Sequence, residues 1–166
     1  MKDNSSLSDV ILHALEWHNR TFNHNPENIV LLQPTSPFRN NIDIDNAIQA
    51  FEESDRMSLV SACEVSQHPA ECFTFDENHN LKFPFSKENI SPEGRQNYNR
   101  TLFLDGSIYI SNTDLFIDEK RMFSNNSEVY LIDKSHAIDI DDYFMLDLAR
   151  AISFYSNNND IDLIKE

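Results

Sequence analysis

Apolar positions recur along this chain in two rhythms. Val10, Ile11, Ala14, Leu15 and Phe22 fall at helical spacing, which predicts a helix from Ser5 to Phe22, capped by Ser8 or Asp9. Ile29 to Gln33 is instead an almost continuous apolar run, the pattern of a strand covered on both faces, as in a parallel sheet. Pro34 ends that ladder because it has no N–H to donate, and Pro37 keeps the following residues extended. Ile44, Ala47, Ile48 and Phe51 predict a second helix, beginning at Asp43 or Asp45 and running to about Glu53. Ser58 to Val65 reads as a second buried strand, and strand–helix–strand argues for a mainly parallel sheet with right-handed crossovers.

From Gln67 to Arg100 both rhythms lapse. Two short aromatic segments, Cys72–Phe75 and Leu81–Phe85, flank Asp76-Glu77-Asn78-His79-Asn80, which predicts a hairpin leaving the sheet. Thr101 to Ser111 returns to strand, interrupted by Asp105-Gly106; a glycine there marks a bulge or a close approach of backbone. A short helix from Asp114 to about Lys120, a strand from Val129 to Ile132 and a last helix from Tyr143 to Phe154 complete the pattern. The Asn- and Asp-rich tail from Ser156 is expected to fray.

Composition narrows the classes. The 166 residues suit one domain. A net charge of −15 argues against nucleic acid or an anionic membrane surface as partner. No apolar run approaches the ~20 residues of a membrane span, and Met1 to Ser6 lacks a signal-peptide core, so a cytoplasmic location is expected. Cys63 and Cys72 are too few for a disulfide scaffold and lack metal-ligand spacing; Cys63 reads as a small core residue. With only Gly94 and Gly106, no glycine-rich phosphate cradle can be drawn.

Two stretches carry candidate chemistry. Gln33, Thr35, Ser36 and Arg39 leave the carboxyl end of the first strand, the edge at which open α/β sheets bind ligands. In Ile138-Asp139-Ile140-Asp141, an extended backbone would turn both isoleucines to the core and both acids to one cleft. Two carboxylates on one face call for a cation between them, and hard oxygen ligands suit Mg²⁺. The competing reading is helix capping, with Asp141 and Asp142 opening the last helix. Asp43 and Asp45 receive no chemistry, because acids in a first helical turn answer the helix dipole.

Gln33-Pro34-Thr35-Ser36-Pro37 with Arg39, then Ser58–Cys63, His68-Pro69, Arg95, Gly106–Ile110 and Ile138–Asp141, resembles the acylneuraminate cytidylyltransferases, in their order, from about Ser6 to Ala151. The resemblance implies a three-layer, Rossmann-like nucleotidyltransferase fold with a mainly parallel sheet, a single domain over residues 1–166 and a hairpin excursion at 67–100 used in dimerisation. It implies transfer of CMP from CTP to the anomeric hydroxyl of a sialic-type 2-keto sugar acid, releasing pyrophosphate. Asp139 and Asp141 become catalytic metal ligands for magnesium (Mg²⁺). Gln33 would bond sugar hydroxyls, Arg95 the sugar carboxylate, and Tyr109 would line the sugar pocket. Phe123, beside Met122, would pack on the acyl group across a homodimer. A serine before the first helix, Ser5 or Ser6, would lie near the cytidine, and Asp105 takes the place of the family's asparagine before glycine.

Departures from the pattern define the rival expectations. Asp105 is an acceptor only at neutral pH where the family has a donor and acceptor. Glu71 stands where sialate-activating members often carry lysine, and Met145 replaces a common acid. These changes favour a related nonulosonate, such as a legionaminate-type sugar, at least as much as N-acetylneuraminate. The family's opening strand and basic, glycine-containing triphosphate loop have no counterpart here, so the sequence reads as N-terminally truncated. The alternative expectation is a catalytically incomplete binding or dimerisation module that keeps the fold.

Overall fold

The computed structural model describes residues 6–83 and 98–159. Helix α1 (Leu7–Phe22) is opened by Ser6: its hydroxyl accepts the Asp9 N–H while the Asp9 carboxylate accepts the Ser6 N–H. The cap is therefore neither Ser8 nor Asp9 acting alone. Ser8 donates its hydroxyl to the Lys120 carbonyl. Helix α2 (Asn41–Glu53) starts with the same reciprocal box, Asn40 with Asp43. Helix α3 (Thr113–Glu119) is capped by Asn112, and α4 (Tyr143–Asn159) by Asp142, whose carboxylate accepts the Met145 N–H.

Strands β1 (Asn28–Leu31), β2 (Ser58–Glu64), β5 (Leu102–Asn112) and β6 (Glu128–Leu131) form one sheet in the order β1-β5-β2-β6. β1 pairs antiparallel with β5, in the register Leu31 opposite Tyr109, and β2 pairs parallel with β6. The Asn112 N–H reaches the Met57 carbonyl, whereas the Ile108 N–H reaches the Ser61 hydroxyl. Moving back along β5 thus moves forward along β2, so β5 runs against both of its neighbours. The sheet is mixed: β1, β2 and β6 share one direction, as strand–helix–strand predicts, and β5 is inserted against them. β1 is also not covered on both faces. Its exposure alternates: Ile29 and Leu31 pack on the core formed with α1 and α3, while Val30 (40% exposed) and Leu32 (37%) turn to the other face.

Alternate side chains of β5 sort into two cores. Tyr109 packs with Ile11 and Leu15 of α1, Phe116 of α3, and Met122. Ile108 and Ile110 pack with Leu59 and with Ala47, Ile44, Ile48 and Phe51 of α2. Helices therefore lie against both faces of the sheet. Each fully buried Leu, Ile or Phe in these cores contributes about 1.5–3 kcal/mol relative to exposure. Cys63 is buried and in no disulfide, as expected of a core thiol, and Cys72 is an exposed thiol.

Residues Cys63–Phe103 form one compact unit and the rest of the chain another. In the smaller unit β3 (Thr74–Phe75) and β4 (Leu81–Lys82) pair antiparallel. Their turn is held by the Asp76 carboxylate, which accepts the N–H groups of Asn78 and Asn80. His68 caps a single 3₁₀ turn at Pro69–Glu71 and stacks on Tyr98. No described helix is long and apolar enough to cross a membrane.

Candidate active site

Shared direction of β1, β2 and β6 brings their carboxyl ends to one edge of the sheet, where the start of β5 enters. Three segments meet there. The first follows β1 and carries Gln33. The second is Asp105-Gly106-Ser107 in β5. The third is the connection from β6 to α4, which carries Asp139.

Gly106 is the hinge of this meeting. Its φ of +79° suits glycine, and a Cβ there would stand 2.9 Å from Gln33 Oε1 and 3.7 Å from Asp139 Oδ2. The close approach anticipated at Asp105-Gly106 is thus to Gln33 and Asp139, 106 residues apart in the chain. Arg39 secures the assembly: its Nη1 donates to the carbonyls of Ser107 (2.6 Å) and Gln33 (3.2 Å), one on each side of the glycine. Burial lowers the Arg39 pKa, against the opposing pull of Asp105 and Asp43.

The third segment is tied at two points. Its Ile140 N–H donates to the Thr35 carbonyl at 2.8 Å. His136, buried, places Nδ1 2.9 Å from Asp43 Oδ2 in the first turn of α2. Asp139 lies between these ties, half-buried, with one carboxylate oxygen buried and unpartnered. The two acids of the motif are not equivalent, since Asp141 is exposed and Asp142 takes the cap of α4.

Beside Gln33 opens a pocket of about 360 Å³, lined among others by Leu31, Gln33, Tyr109, Lys120, Arg121 and Phe123. Phe123 stacks on Tyr109 of its own chain, with ring centroids 5.9 Å apart, while Met122 is buried in the core. Gln33, Asp105, Tyr109, Phe123 and Asp139 are therefore neighbours around one edge. Ser6 is engaged as the α1 cap. Arg95 lies outside the described residues.

Sequence reasoning misses three members of this site, Arg39, Asp43 and His136. Arg39 stands within a motif that assigns it no task, although it carries the cation that joins β1 to β5. Asp43 reads as a first-turn acid, yet it is buried and caps Asn40 while meeting buried His136. The Asn40-x-x-Asp43 box was visible in the sequence; nothing local announced its long-range partner.

Tyr109 reports on the two acids. Burial raises its pKa above the ordinary phenol value, and the charges of Asp105 and Asp139 raise it further. Because the folded value is the higher one, this contribution to stability is present below the unfolded phenol pKa of about 10 and is lost as pH rises through the folded value. In an ultraviolet phenolate titration, with Tyr109→Phe identifying the signal, Tyr109 should ionise late. Asp139→Asn should move it part of the way back. Ionisation at the ordinary value in the wild type, or no movement in the variant, would contradict this placement.

No family model matches the chain. It is 30% identical to an N-acylneuraminate cytidylyltransferase of Escherichia coli O18:K1:H7, over 97% of this chain and 37% of that protein. It is 34% identical to a CMP-N,N'-diacetyllegionaminic acid synthase of Legionella pneumophila, over 69% of this chain and 49% of that protein. A third relative, an N-acylneuraminate cytidylyltransferase of Streptococcus agalactiae serotype V, is 29% identical over 69% of this chain and 27% of its own length. The chain thus spans less than half the length of these relatives. Its mixed sheet, helices and strand-end site fit a nucleotidyltransferase-like α/β fold. Within that class the relatives it matches are N-acylneuraminate cytidylyltransferases and a CMP-N,N'-diacetyllegionaminic acid synthase, over part of their length.

Proposed function

We propose that this chain provides the sugar- and metal-binding part of a cytidylyltransferase site, in a three-layer, Rossmann-like domain. The reaction joins the anomeric oxygen of a sialic-type 2-keto sugar acid to the α-phosphorus of CTP. The α–β phosphoanhydride bond breaks, pyrophosphate leaves, and the attacking hydroxyl gives up its proton. The observation that carries this reading is the meeting of Gln33 and Asp139 at Gly106, next to the pocket containing Tyr109 and Phe123.

The residues present suit a divalent cation. Asp139 offers a buried, unpartnered oxygen, and the donor set is oxygen throughout, as Mg²⁺ prefers. Among the described residues no group of three or more His, Cys, Asp or Glu side chains is placed to hold a metal. One or two carboxylates with water and phosphate oxygens nonetheless suffice for Mg²⁺. When bound, such a cation neutralises charge developing on phosphate oxygens. The side chains then position the sugar: Gln33 accepts and donates to hydroxyls, and the Tyr109–Phe123 stack supplies an apolar wall. Lys120 and Arg121 place positive charge on the pocket lining, suited to an anionic sugar acid. A homodimer belongs to the same proposal, and sedimentation measures it.

Pyrophosphate release tests the reading, with CTP, Mg²⁺ and a panel including N-acetylneuraminate and N,N'-diacetyllegionaminate. It should be measured on the chain alone and on the chain joined to the segment preceding the matched region in the Escherichia coli relative. Turnover with one of these sugar acids in either form is expected. No turnover in any combination would leave the binding or dimerisation module as the better account.

A further inference from the structure

Asp105 stands out among the buried groups. It is 1% exposed, and its Oδ2 accepts the Ser107 N–H at 3.2 Å while Oδ1 has no partner. No donor closes on Oδ1. The Ile108 N–H goes to Ser61, and Arg39 directs Nη1 to the Gln33 and Ser107 carbonyls, while Arg39 Nε and the Ser107 hydroxyl are themselves buried and unpartnered. Arg39 thus offsets part of the Asp105 charge from nearby without a hydrogen bond to it. A buried, unmet carboxylate oxygen is costly.

A second such oxygen is Asp139 Oδ1; the other oxygen of that carboxylate and the Gln33 amide oxygen stand close to Gly106, the residue that follows Asp105. Tyr109 experiences the charge of both acids. Two carboxylates and an amide oxygen around a glycine without Cβ form an all-oxygen cradle with two unfilled acceptors. An asparagine at this position would bring an NH₂ donor and could satisfy a neighbouring carboxylate directly. A carboxylate brings acceptors alone, which a cation would meet.

We infer that Asp105 is a direct ligand of the divalent cation that Asp139 holds, with Gln33 Oε1 beside them, so that the cation seat spans β5 and the β6–α4 connection. This rests on the reading above that a cation works at Asp139, and it gives Asp105 a task other than touching the sugar.

The probe is Mn²⁺, titrated by calorimetry into the chain and its Asp105→Asn, Asp139→Asn and Asp141→Asn variants, with circular dichroism checking each fold. Asp105→Asn is expected to weaken Mn²⁺ by about tenfold or more, with Asp139→Asn at least as damaging. A second measurement needs no variant: when diamagnetic Mg²⁺ is titrated into the wild type, the side-chain carboxyl ¹³C resonances of Asp105 and Asp139 should move together. If Asp105→Asn binds like the wild type while Asp139→Asn does not, or if the Mg²⁺-dependent shift is confined to Asp139, this inference is overturned and the cation reading stands. If the wild type shows no saturable Mn²⁺ binding, both fall.

Discussion

Asp43→Ala should destabilise the chain by about 2–4 kcal/mol, about 1–3 of it for leaving a buried polar group without its partner. The substitution removes the carboxylate facing His136 Nδ1 and leaves that imidazole in a site it scarcely shares with water. It also breaks the capping box, since the Asn40 N–H loses its acceptor at the mouth of α2, a loss of about 1 kcal/mol by itself. Arg39 loses a favourable charge at the same moment. At roughly 2–4 °C per kcal/mol for a chain of this size, the midpoint of thermal unfolding should fall by about 4–16 °C. His136→Ala should cost a similar amount, and the double variant less than the sum, because the two share one interaction. Urea unfolding of the four proteins measures this. A cost below about 1 kcal/mol for either single variant, or simple additivity, would mean that the contact does not hold the β6–α4 connection.

The consequence reaches the site. Asp139 is positioned by its flanks, His136 against α2 and the Ile140 N–H against Thr35, so loosening one flank should blur the placement of its carboxylate. A structural acid far from any ligand would then be felt in cation affinity.

The elements were legible because their signals are local. Helical spacing at Ile44, Ala47, Ile48 and Phe51 predicts the face of α2 that meets the sheet, and the Asp76–Asn80 turn predicts its hairpin. What the sequence does not show is pairing between distant segments. Periodicity cannot tell that β5 is inserted against its neighbours, because the apolar pattern of a buried strand is the same in either direction. The apolar run at Ile29 suggests two covered faces, but Ile29 and Leu31 alone reach a core, and Val30 and Leu32 on the opposite face are exposed. Within the site, Gln33 and Asp139 could be singled out by type and motif. Arg39, Asp43 and His136 could not, since their role lies in partners 68, 93 and 93 positions away.

Asp139→Asn should lower the rate of cytidylyl transfer by about 10²–10³-fold or more, the scale of losing one well-aimed electrostatic group. Its carboxylate is half-buried against Gly106 and Gln33, where no solvent shell can substitute for the missing charge. Asparagine keeps the shape and removes the charge, so the fold should survive. Exposed Asp141 makes the useful comparison. If both acids faced the cleft equally, as an extended motif alone would predict, Asp141→Asn should be as damaging. The difference in burial predicts a smaller loss, because water can take over part of what an exposed ligand does. Initial rates of pyrophosphate release, in whichever form of the chain turns over, decide between these outcomes at saturating CTP and sugar acid. Raising the Mg²⁺ concentration should recover much of the Asp141→Asn rate by mass action and little of the Asp139→Asn rate. An Asp139→Asn protein within threefold of the wild type would detach this acid from catalysis and leave the strand-end cluster a matter of folding alone.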